Sequence, residues 1–435
     1  MTDTADIAHT APDSPSPGGQ ALSDFALDQR QNSLGDVVTS TISRMRSGDL
    51  GSIPAVLAIA ALVAIFGIAR PDSFLSKLNF ANFLEQASAV VVIAMAVSFV
   101  LLLGEIDLAA GFTAGVSAAV LATRLADSWS LWSAALLAAV VAVVLGLFTG
   151  FMVAKVGIPS FVVTLANVLL FQGILLLLVR EGGSVRIQSE LVNDVVGGFL
   201  SPVLSWSVAA LGFAAYALSS VVRWRNAGGE VPASLVAIKL GLALVAIVVM
   251  TALLNQNRAF PNAPAPIEGM PIVVPLLAVL AVMLSFVLAR TTYGRHVYAV
   301  GGNAEAARRA GINIAWIRLS AFALCGLMAG VGGVFLASRV NSVDANTGAN
   351  DTLLLAVGAA VIGGTSLFGG RGRMVNAVLG GMVLALIPNG LGLIGKATLF
   401  GNEIDFGSSG VKFVCAGLAL LVASSVDALS RKAGS

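Results

Sequence analysis

Long apolar runs separated by short polar stretches make up the chain from about residue 53 onward. Each run is close to the ~20 residues that a helix needs to cross the hydrocarbon core of a bilayer. Because lipid offers the backbone no hydrogen-bond partners, such runs form helices in a membrane. The pattern predicts an all-α, polytopic transmembrane helix bundle of about 10–12 spans. Twelve runs are candidate spans: 53–69, 86–104, 108–125, 131–153, 158–179, 199–222, 233–254, 271–289, 317–337, 353–368, 374–394 and 410–427.

The composition agrees with this class and excludes others. Of the 435 residues, 57% are apolar and 11% are charged, whereas soluble proteins carry about a quarter charged residues. This charge density is too low to cover a surface that faces water, which excludes an ordinary soluble enzyme and a disordered chain. The net charge of +2 creates no field that would attract a nucleic acid.

Polar segments define the organisation of the chain. Residues 1–52 are rich in Ser, Pro, Gly and Asp and lack a secretory signal, which predicts a disordered N-terminal tail. Residues 53–428 form the predicted transmembrane domain, with 290–316 as its largest polar segment, and 429–435 form a C-terminal tail. If the N terminus is inside, most of the 25 Lys and Arg residues face the cytoplasm, as basic residues do in membrane proteins. Both tails are therefore predicted to be cytoplasmic.

The segment 303–311, Asn-Ala-Glu-Ala-Ala-Arg-Arg-Ala-Gly, is typical of a short capped helix. Asn303 suits the N-cap, Glu305 the positive helix start and Gly311 the left-handed C-cap. The alanines leave a shallow ridge that would fit a groove on another protein. The alternative is a connector helix whose arginines simply follow the positive-inside rule. The candidate docking residues are Asn303, Glu305, Ala306, Ala307, Arg308 and Gly311.

Two carboxylates, Glu105 and Asp107, follow an apolar run. Carboxylates at membrane depth are costly and usually face a cavity or a partner. A helix broken at the nearby glycines would let them line a path or gate. The alternative is a polar turn at the cytoplasmic end of a span. The candidate path residues are Glu105, Asp107, Gly111, Asn167 and Gln172, and the two amides among them are alternatively partners of neighbouring helices.

A glycine-rich segment, GGTSLFGGRGR at 363–373, predicts a tight cytoplasmic loop that other backbone approaches closely. The residue order of a phosphate-binding P-loop is absent, and the alternative is a simple turn between two helices. Its candidate site residues are Gly363, Gly364, Gly369, Gly370 and Arg371.

Small residues and cysteines have packing explanations. Gly-x-x-x-Gly pairs at 111/115, 146/150 and 326/330 predict faces where helices pack closely. Cys325 and Cys415 lie inside apolar runs without neighbouring His or Cys residues. They are predicted to be buried packing residues, and no metal site is expected.

Three stretches resemble the hallmarks of bacterial ABC importer permeases for monosaccharides. They are GEIDLAAGFTAG at 104–115, YGRHVYAVGGNAEAARRAGIN at 293–313 and VIGGTSLFGGRGRMVNAVLGG at 361–381. They stand in the family's order, and the resemblance runs from about residue 50 to the end. The Glu before Ile-Asp-Leu and an inserted helix pair at about 199–254 are most similar to the xylose-type permeases. The chain departs from the family at Ala109-Ala110, where Ser-Val is usual.

The resemblance implies an ABC importer permease fold in the bacterial inner membrane, working as a homodimer. The 303–311 helix would then couple to a cytoplasmic ATP-binding cassette subunit. That partner would hold ATP and Mg, so this chain would carry no cofactor of its own and would be a transporter subunit, not an enzyme.

The resemblance also implies an extracytoplasmic sugar-binding protein that delivers a monosaccharide, xylose or a related sugar, and no nucleic-acid partner. The alternative function is an ion-coupled secondary transporter that uses Glu105 or Asp107.

Overall fold

The computed structural model describes residues 51–180, 182–226, 232–259, 266–399 and 402–434. All but the last two positions of the predicted N-terminal tail lie outside these ranges, as does Ser435. The first helices are α1 (Ile53–Ala69), α2 (Pro71–Phe74), α3 (Lys77–Leu101), α4 (Ala110–Ala126), α5 (Leu131–Phe151), which continues as a π-helical turn (Met152–Val156), α6 (Ser160–Val179), α7 (Glu190–Gly197) and α8 (Pro202–Asn226). They are followed by α9 (Ala233–Leu254), α10 (Val273–Arg290), α11 (Thr292–Gly302), α12 (Ala304–Arg309), α13 (Ile314–Val340), α14 (Asn350–Ile362), α15 (Met374–Ile394) and α16 (Ser409–Gly434). The strands are β1 (Ser184–Arg186), β2 (Ser342–Asp344), β3 (Lys396–Leu399) and β4 (Asn402–Asp405).

Each of the twelve predicted runs coincides with a helix, so the prediction of a mostly helical bundle is confirmed. Within the described ranges, eight helices are long and apolar enough to cross a membrane: α3, α5 with its π-helical turn, α6, α8, α9, α10, α13 and α15. Shorter apolar helices occur at Ile53–Ala69, Ala110–Ala126, Thr352–Ile362 and Ser409–Val422. The total of 10–12 spans stays a prediction.

Three predicted boundaries are clearly wrong. Helix α16 continues to Gly434 instead of ending near residue 427. Helix α3 begins at Lys77, well before residue 86, because Ser76 caps its N terminus by accepting a hydrogen bond from the Asn79 backbone N–H at 3.1 Å. Helix α14 ends at Ile362 rather than at residue 368. The positive φ angles of Gly364 (102°) and Gly369 (83°) are incompatible with a continuing helix, although the segment contains apolar residues.

Helix α3 lies at the centre of the bundle. Every residue from Val91 to Leu101 is buried, which matches a segment that is apolar on all sides. It packs against α13, α14 and α15. This helix ends directly at the acidic pair, so the bundle core positions that pair.

Helices α5 and α13 cross at a point where both helices carry glycine residues. A Cβ atom on Gly326 would lie 3.0 Å from the Cα atom of Gly146 and would collide with the carbonyl oxygen of Ala142. A Cβ atom on Gly146 would collide with the carbonyl oxygen of Phe322. The prediction of helix packing is confirmed for these two glycine pairs.

The third pair, Gly111 and Gly115 of α4, packs differently from the prediction. Its glycines face the carbonyl oxygens of Gly348 and Thr347, which belong to the turn after β2. The turn backbone needs the space that a Cβ atom would occupy at both positions. Leu353 of α14 and Leu175 of α6 also lie within 3.1 Å of these Cβ positions, so the pair accommodates a turn in addition to neighbouring helices.

Segments that connect the long helices contact one another. Strand β1 pairs antiparallel with β2, with Val185 opposite Val343. Arg258 lies in the polar segment 255–270 after α9, and it is only 6% exposed. Its guanidinium donates to the carbonyl oxygens of Leu254 and Gly269. These hydrogen bonds attach the described part of the segment 255–270 to the end of α9.

Within the described ranges, the chain divides into two compact units, one made of the described residues of 211–246 and the other of those of 51–210 and 247–434. In the described part of the first unit, α8 and α9 expose apolar side chains such as Leu218 and Leu242. The candidate site lies entirely within the second unit.

Candidate functional site

Two loops and the C-terminal end of helix α11, from distant parts of the chain, meet at the end of the bundle where α3 terminates. They are residues 102–109, 298–302 and 363–373, which we call the loop junction. The backbone N–H of Gly370 donates to the carbonyl oxygen of Leu102 at 2.8 Å. Each of these three segments overlaps one of the three stretches that carried the family resemblance. The fold therefore brings the three stretches together in one place.

Glycines make this close approach possible. Any side chain on Gly301 would collide with the carbonyl oxygen of Leu102 and would lie 2.8 Å from the Gly370 nitrogen. Gly104 has a φ angle of 76° and Gly370 one of 71°, both in the left-handed region that favours glycine. The tight loop predicted from the glycine-rich segment is confirmed in its geometry.

The rest of the glycine-rich segment closes the loop on itself. The Ser366 N–H donates to the carbonyl oxygen of Arg371 at 2.9 Å, while the Arg371 side chain is exposed. A Cβ atom on Gly363 would collide with the carbonyl oxygen of Asn376, and Gly364 has a φ angle of 102°. The functional role given to these glycines stays a prediction.

Tyr298 of α11 joins the junction, and sequence reasoning missed it. Its hydroxyl donates to the carbonyl oxygen of Gly372 at 2.7 Å. Burial raises the pKa of the Tyr298 hydroxyl, and the charge of nearby Arg373 lowers it in part. The net rise keeps the phenol protonated, so it stays a donor. No signal in one sequence distinguishes this tyrosine from other loop tyrosines.

The short helix α12 forms as predicted. Asn303 Oδ1 accepts a hydrogen bond from the Ala306 N–H at 2.9 Å, and Gly311 has a φ angle of 82°. Glu305 lies 3.6 Å from Arg308 and is more than half exposed. One detail of the predicted ridge is wrong, because Ala307 is only 4% exposed. The outward face of α12 therefore carries Glu305, Ala306, Arg308 and Arg309.

Glu105 contacts a cation that the sequence did not identify as its partner. Its Oε1 atom lies 3.0 Å from Arg318 Nε of α13, with side-chain exposures of 13% for Glu105 and 33% for Arg318. The Nε–H direction does not meet hydrogen-bond geometry, so the contact is an ion pair by distance. The Glu105 carboxylate thus already has a cationic partner within this chain.

Asp107 is buried at 4% exposure and also has partners. Its Oδ1 atom accepts a hydrogen bond from the Ala109 N–H at 2.8 Å, and its Oδ2 atom accepts one from the Cys325 thiol at 3.5 Å. The packing role predicted for Cys325 is therefore incomplete. The prediction that Cys415 is buried is wrong, because that residue is only half-buried.

The backbone between the two carboxylates is held by α6. The Ile106 N–H donates to Ser160 Oγ at 3.1 Å, and Thr164 Oγ1 donates to the Ile106 carbonyl oxygen at 3.2 Å. Asn167 of the same helix donates to Thr149 of α5 at 2.9 Å, which matches the helix-partner alternative. Gln172 is half-buried on α6. Path roles for these amides and for Gly111 stay predictions.

Throughout the described ranges, no group of three or more His, Cys, Asp or Glu residues is arranged to hold a metal ion. The site consists of helix ends, close backbone contacts and ion pairs. Such an arrangement ties the ends of α3, α11 and α13 to the glycine-rich loop.

A mostly helical chain with many long apolar helices and short connecting loops is typical of multi-pass membrane proteins. Residues 79–423 match the family model described as the branched-chain amino acid transport system / permease component, and the chain belongs to this family. It is therefore a permease component, which lacks its own ATPase site and is not an enzyme.

Several curated proteins are similar over most of the chain. The xylose transport system permease protein XylH of Escherichia coli K12 is 33% identical over 90% of this chain and 95% of its own length. XylH of Haemophilus influenzae is 32% identical over 89% of this chain and 99% of its own length. The ribose import permease protein RbsC of Escherichia coli K12 is 26% identical over 79% of this chain and 87% of its own length. No solved structure matches the chain.

Proposed function

We propose that this chain is the membrane-spanning subunit of an ATP-driven, binding-protein-dependent importer of monosaccharides, and that xylose or a related sugar is the substrate. The observation that carries the proposal is the 33% identity to the xylose permease over 90% of the chain. The ribose permease relative supports a sugar substrate at a greater distance.

The proposed assembly is a homodimer in the inner membrane with both termini in the cytoplasm. A cytoplasmic ATP-binding cassette would dock on α12, and an extracytoplasmic sugar-binding protein would deliver the sugar to the opposite face. The exposed charges of α12 and the excess of basic residues in the predicted cytoplasmic loops support this orientation.

The proposed cycle is alternating access driven by the partner. Closure of the two cassettes would draw the two α12 helices together and open the translocation path outward, and hydrolysis would reset it. The loop junction supports this mechanism, because α11, which leads into α12, touches both the end of α3 and the glycine-rich loop.

An ion-coupled secondary transporter is the second function considered. It needs Glu105 or Asp107 as an ion or proton site. Glu105 already lies 3.0 Å from Arg318, and both Asp107 oxygens accept hydrogen bonds. These internal partners disfavour that function, since a permanent cation competes with a transported one.

Reconstitution tests the proposal. Proteoliposomes containing this chain with the cassette subunit and binding protein of the same transport system should accumulate radiolabelled xylose only when ATP is supplied. A protonophore should leave uptake unchanged, and unlabelled ribose and glucose should reveal the sugar preference by competition. Uptake that ignores ATP and collapses with the protonophore would overturn the proposal in favour of the ion-coupled transporter.

A further inference from the structure

The Glu105–Arg318 ion pair connects two elements that the proposed mechanism must move together. Arg318 lies in the second turn of α13, just after α12. Glu105 lies in the loop junction, at the end of the central helix α3. The two side chains meet at 3.0 Å, although they are far apart in the sequence.

The connection from α12 to Arg318 is short and hydrogen-bonded. The Ile312 N–H donates to the Ala307 carbonyl oxygen at 3.0 Å, which ties the residues after α12 back to that helix. Asn313 then caps α13 by accepting from the Trp316 N–H at 3.0 Å. A displacement of α12 is therefore passed to the first turns of α13 without a flexible linker.

The connection from Glu105 into the junction is equally direct. Its own N–H donates to the Val100 carbonyl oxygen at 3.2 Å. Its neighbour Gly104 lies against Phe368 of the glycine-rich loop, with 3.3 Å between the position of a Cβ atom and the Phe368 carbonyl oxygen. Its other neighbour, Ile106, is held by Ser160 of α6. A pull on Glu105 therefore reaches three elements at once.

The same loop holds α13 at a second point. Asp107 accepts the hydrogen bond of Cys325 at 3.5 Å, two turns along α13 from Arg318. Residues seven positions apart lie on the same face of a helix. Glu105 and Asp107 thus contact the same face of α13 at two points. These contacts favour a mechanical role for both carboxylates over a role in lining the translocation path.

Burial distinguishes this ion pair from the others near α12. Glu105 is 13% exposed, whereas Glu305 and its partner Arg308 are 59% and 70% exposed. Exposed pairs contribute little and are screened by salt, but breaking a desolvated pair leaves a charge without compensation. Because Glu105 is the more buried partner and Arg318 is 33% exposed, loss of Arg318 would leave the Glu105 charge largely desolvated and without a partner.

We propose that the Glu105–Arg318 ion pair is a coupling latch, which carries the movement of α12 through the start of α13 to the loop junction. Arg318 is then a positioning residue for transport. This inference rests on the proposed function, because it needs an ATPase partner that moves α12.

The test measures sugar uptake and ATP hydrolysis together in proteoliposomes that contain the complete transporter. Arg318→Gln and Glu105→Gln should each lower xylose uptake per ATP hydrolysed by about tenfold or more, while the cassette still co-purifies at the wild-type level. Arg318→Lys should keep part of the coupling, since it keeps the charge. The double variant Glu105→Arg/Arg318→Glu should transport better than either single charge reversal.

Arg124 provides the control, because its side-chain exposure of 34% is close to the 33% of Arg318. Its Nη1 atom lies 3.1 Å from Asp127, at the end of α4 that is remote from the loop junction. Arg124→Gln should keep the wild-type ratio of uptake to hydrolysis. Wild-type coupling in Arg318→Gln, or a charge-reversed double variant no better than the single reversals, would overturn the latch alone. Absence of ATP-dependent sugar uptake by the wild type would overturn the proposed function, and the latch with it.

Discussion

Tyr298 of α11 donates its hydroxyl hydrogen to the backbone carbonyl oxygen of Gly372 across 2.7 Å. This bond joins the segment that leads to the short helix α12 to the glycine-rich loop. Both belong to stretches that the sequence marks as special, but nothing in the chain order brings them together. The tertiary structure alone therefore creates this hydrogen bond, and a single substitution that deletes the hydroxyl removes it.

Tyr298→Phe should lower the free energy of unfolding by about 1 kcal/mol, because the Gly372 carbonyl loses a half-buried donor. It should also reduce uptake per ATP hydrolysed, since the α11 end is less firmly held. Thermal unfolding in detergent and reconstituted uptake measure the two effects. Tyr216→Phe is the control, because Tyr216 is exposed on α8. Equal behaviour of the two variants would show that the bond has no structural role.

Asn303→Ala should weaken α12, because the Ala306 N–H loses its cap at a cost of about 1 kcal/mol. We expect less cassette to co-purify with the membrane subunit, while insertion stays normal. Ser130→Ala removes a similar cap from α5, where Ser130 accepts from the Ser133 N–H at 3.3 Å. That control should leave co-purification unchanged, and a loss in both variants would point to general instability.

Gly326→Ala should destabilise the bundle by about 1–3 kcal/mol, because the new methyl group collides with α5 at the Ala142 carbonyl oxygen. Gly173→Ala in α6 is the matched control, since a Cβ atom there meets nothing within 4 Å. The control should be neutral or stabilising by up to about 1 kcal/mol. Melting temperatures of both variants and the wild type in detergent test this prediction. A wild-type melting temperature for Gly326→Ala would contradict the close crossing of α5 and α13.

Asp107→Asn should retain more than half of the uptake, because an amide oxygen can still accept from the Ala109 N–H. Asp107→Ala should lose both uptake and stability, because that donor and the Cys325 thiol lose their acceptor. Uptake assays on membranes with equal protein content separate the two variants. Complete loss of uptake in Asp107→Asn would instead support a transported ion at this carboxylate.

The sequence was most informative where the physics is local. Apolar runs predicted each spanning helix because burial of backbone polar groups in lipid leaves the helix as the only option. The caps at Asn303 and Gly311 were predictable because a cap depends on neighbours within a few residues. Errors occurred at the ends of runs, as at Ile362, where apolar side chains continue beyond the last helical turn.

Contacts between distant segments were not predictable in this way. Glu105 was identified as unusual, but its partner Arg318 could not be chosen among the arginines of the cytoplasmic loops. Cys325 was interpreted as packing because its interaction with Asp107 depends on how α13 passes the end of α3. Gly111 and Gly115 have the spacing of a helix-packing pair, and only the fold shows that a turn fills it.

The resemblance of three stretches to a known family implied the permease class. By themselves, the hydropathy and local patterns of the sequence determined that this chain is a membrane helix bundle, that α12 is a capped helix, and where the acidic and glycine-rich loops lie. These properties depend on hydropathy, capping and backbone freedom, which act over one helix or less. Only the tertiary structure decided that two loops and the end of α11 meet at the end of α3, and that Glu105 pairs with Arg318. Such pairings depend on the crossing geometry of whole helices, which the glycines at Gly146 and Gly326 set by close contact.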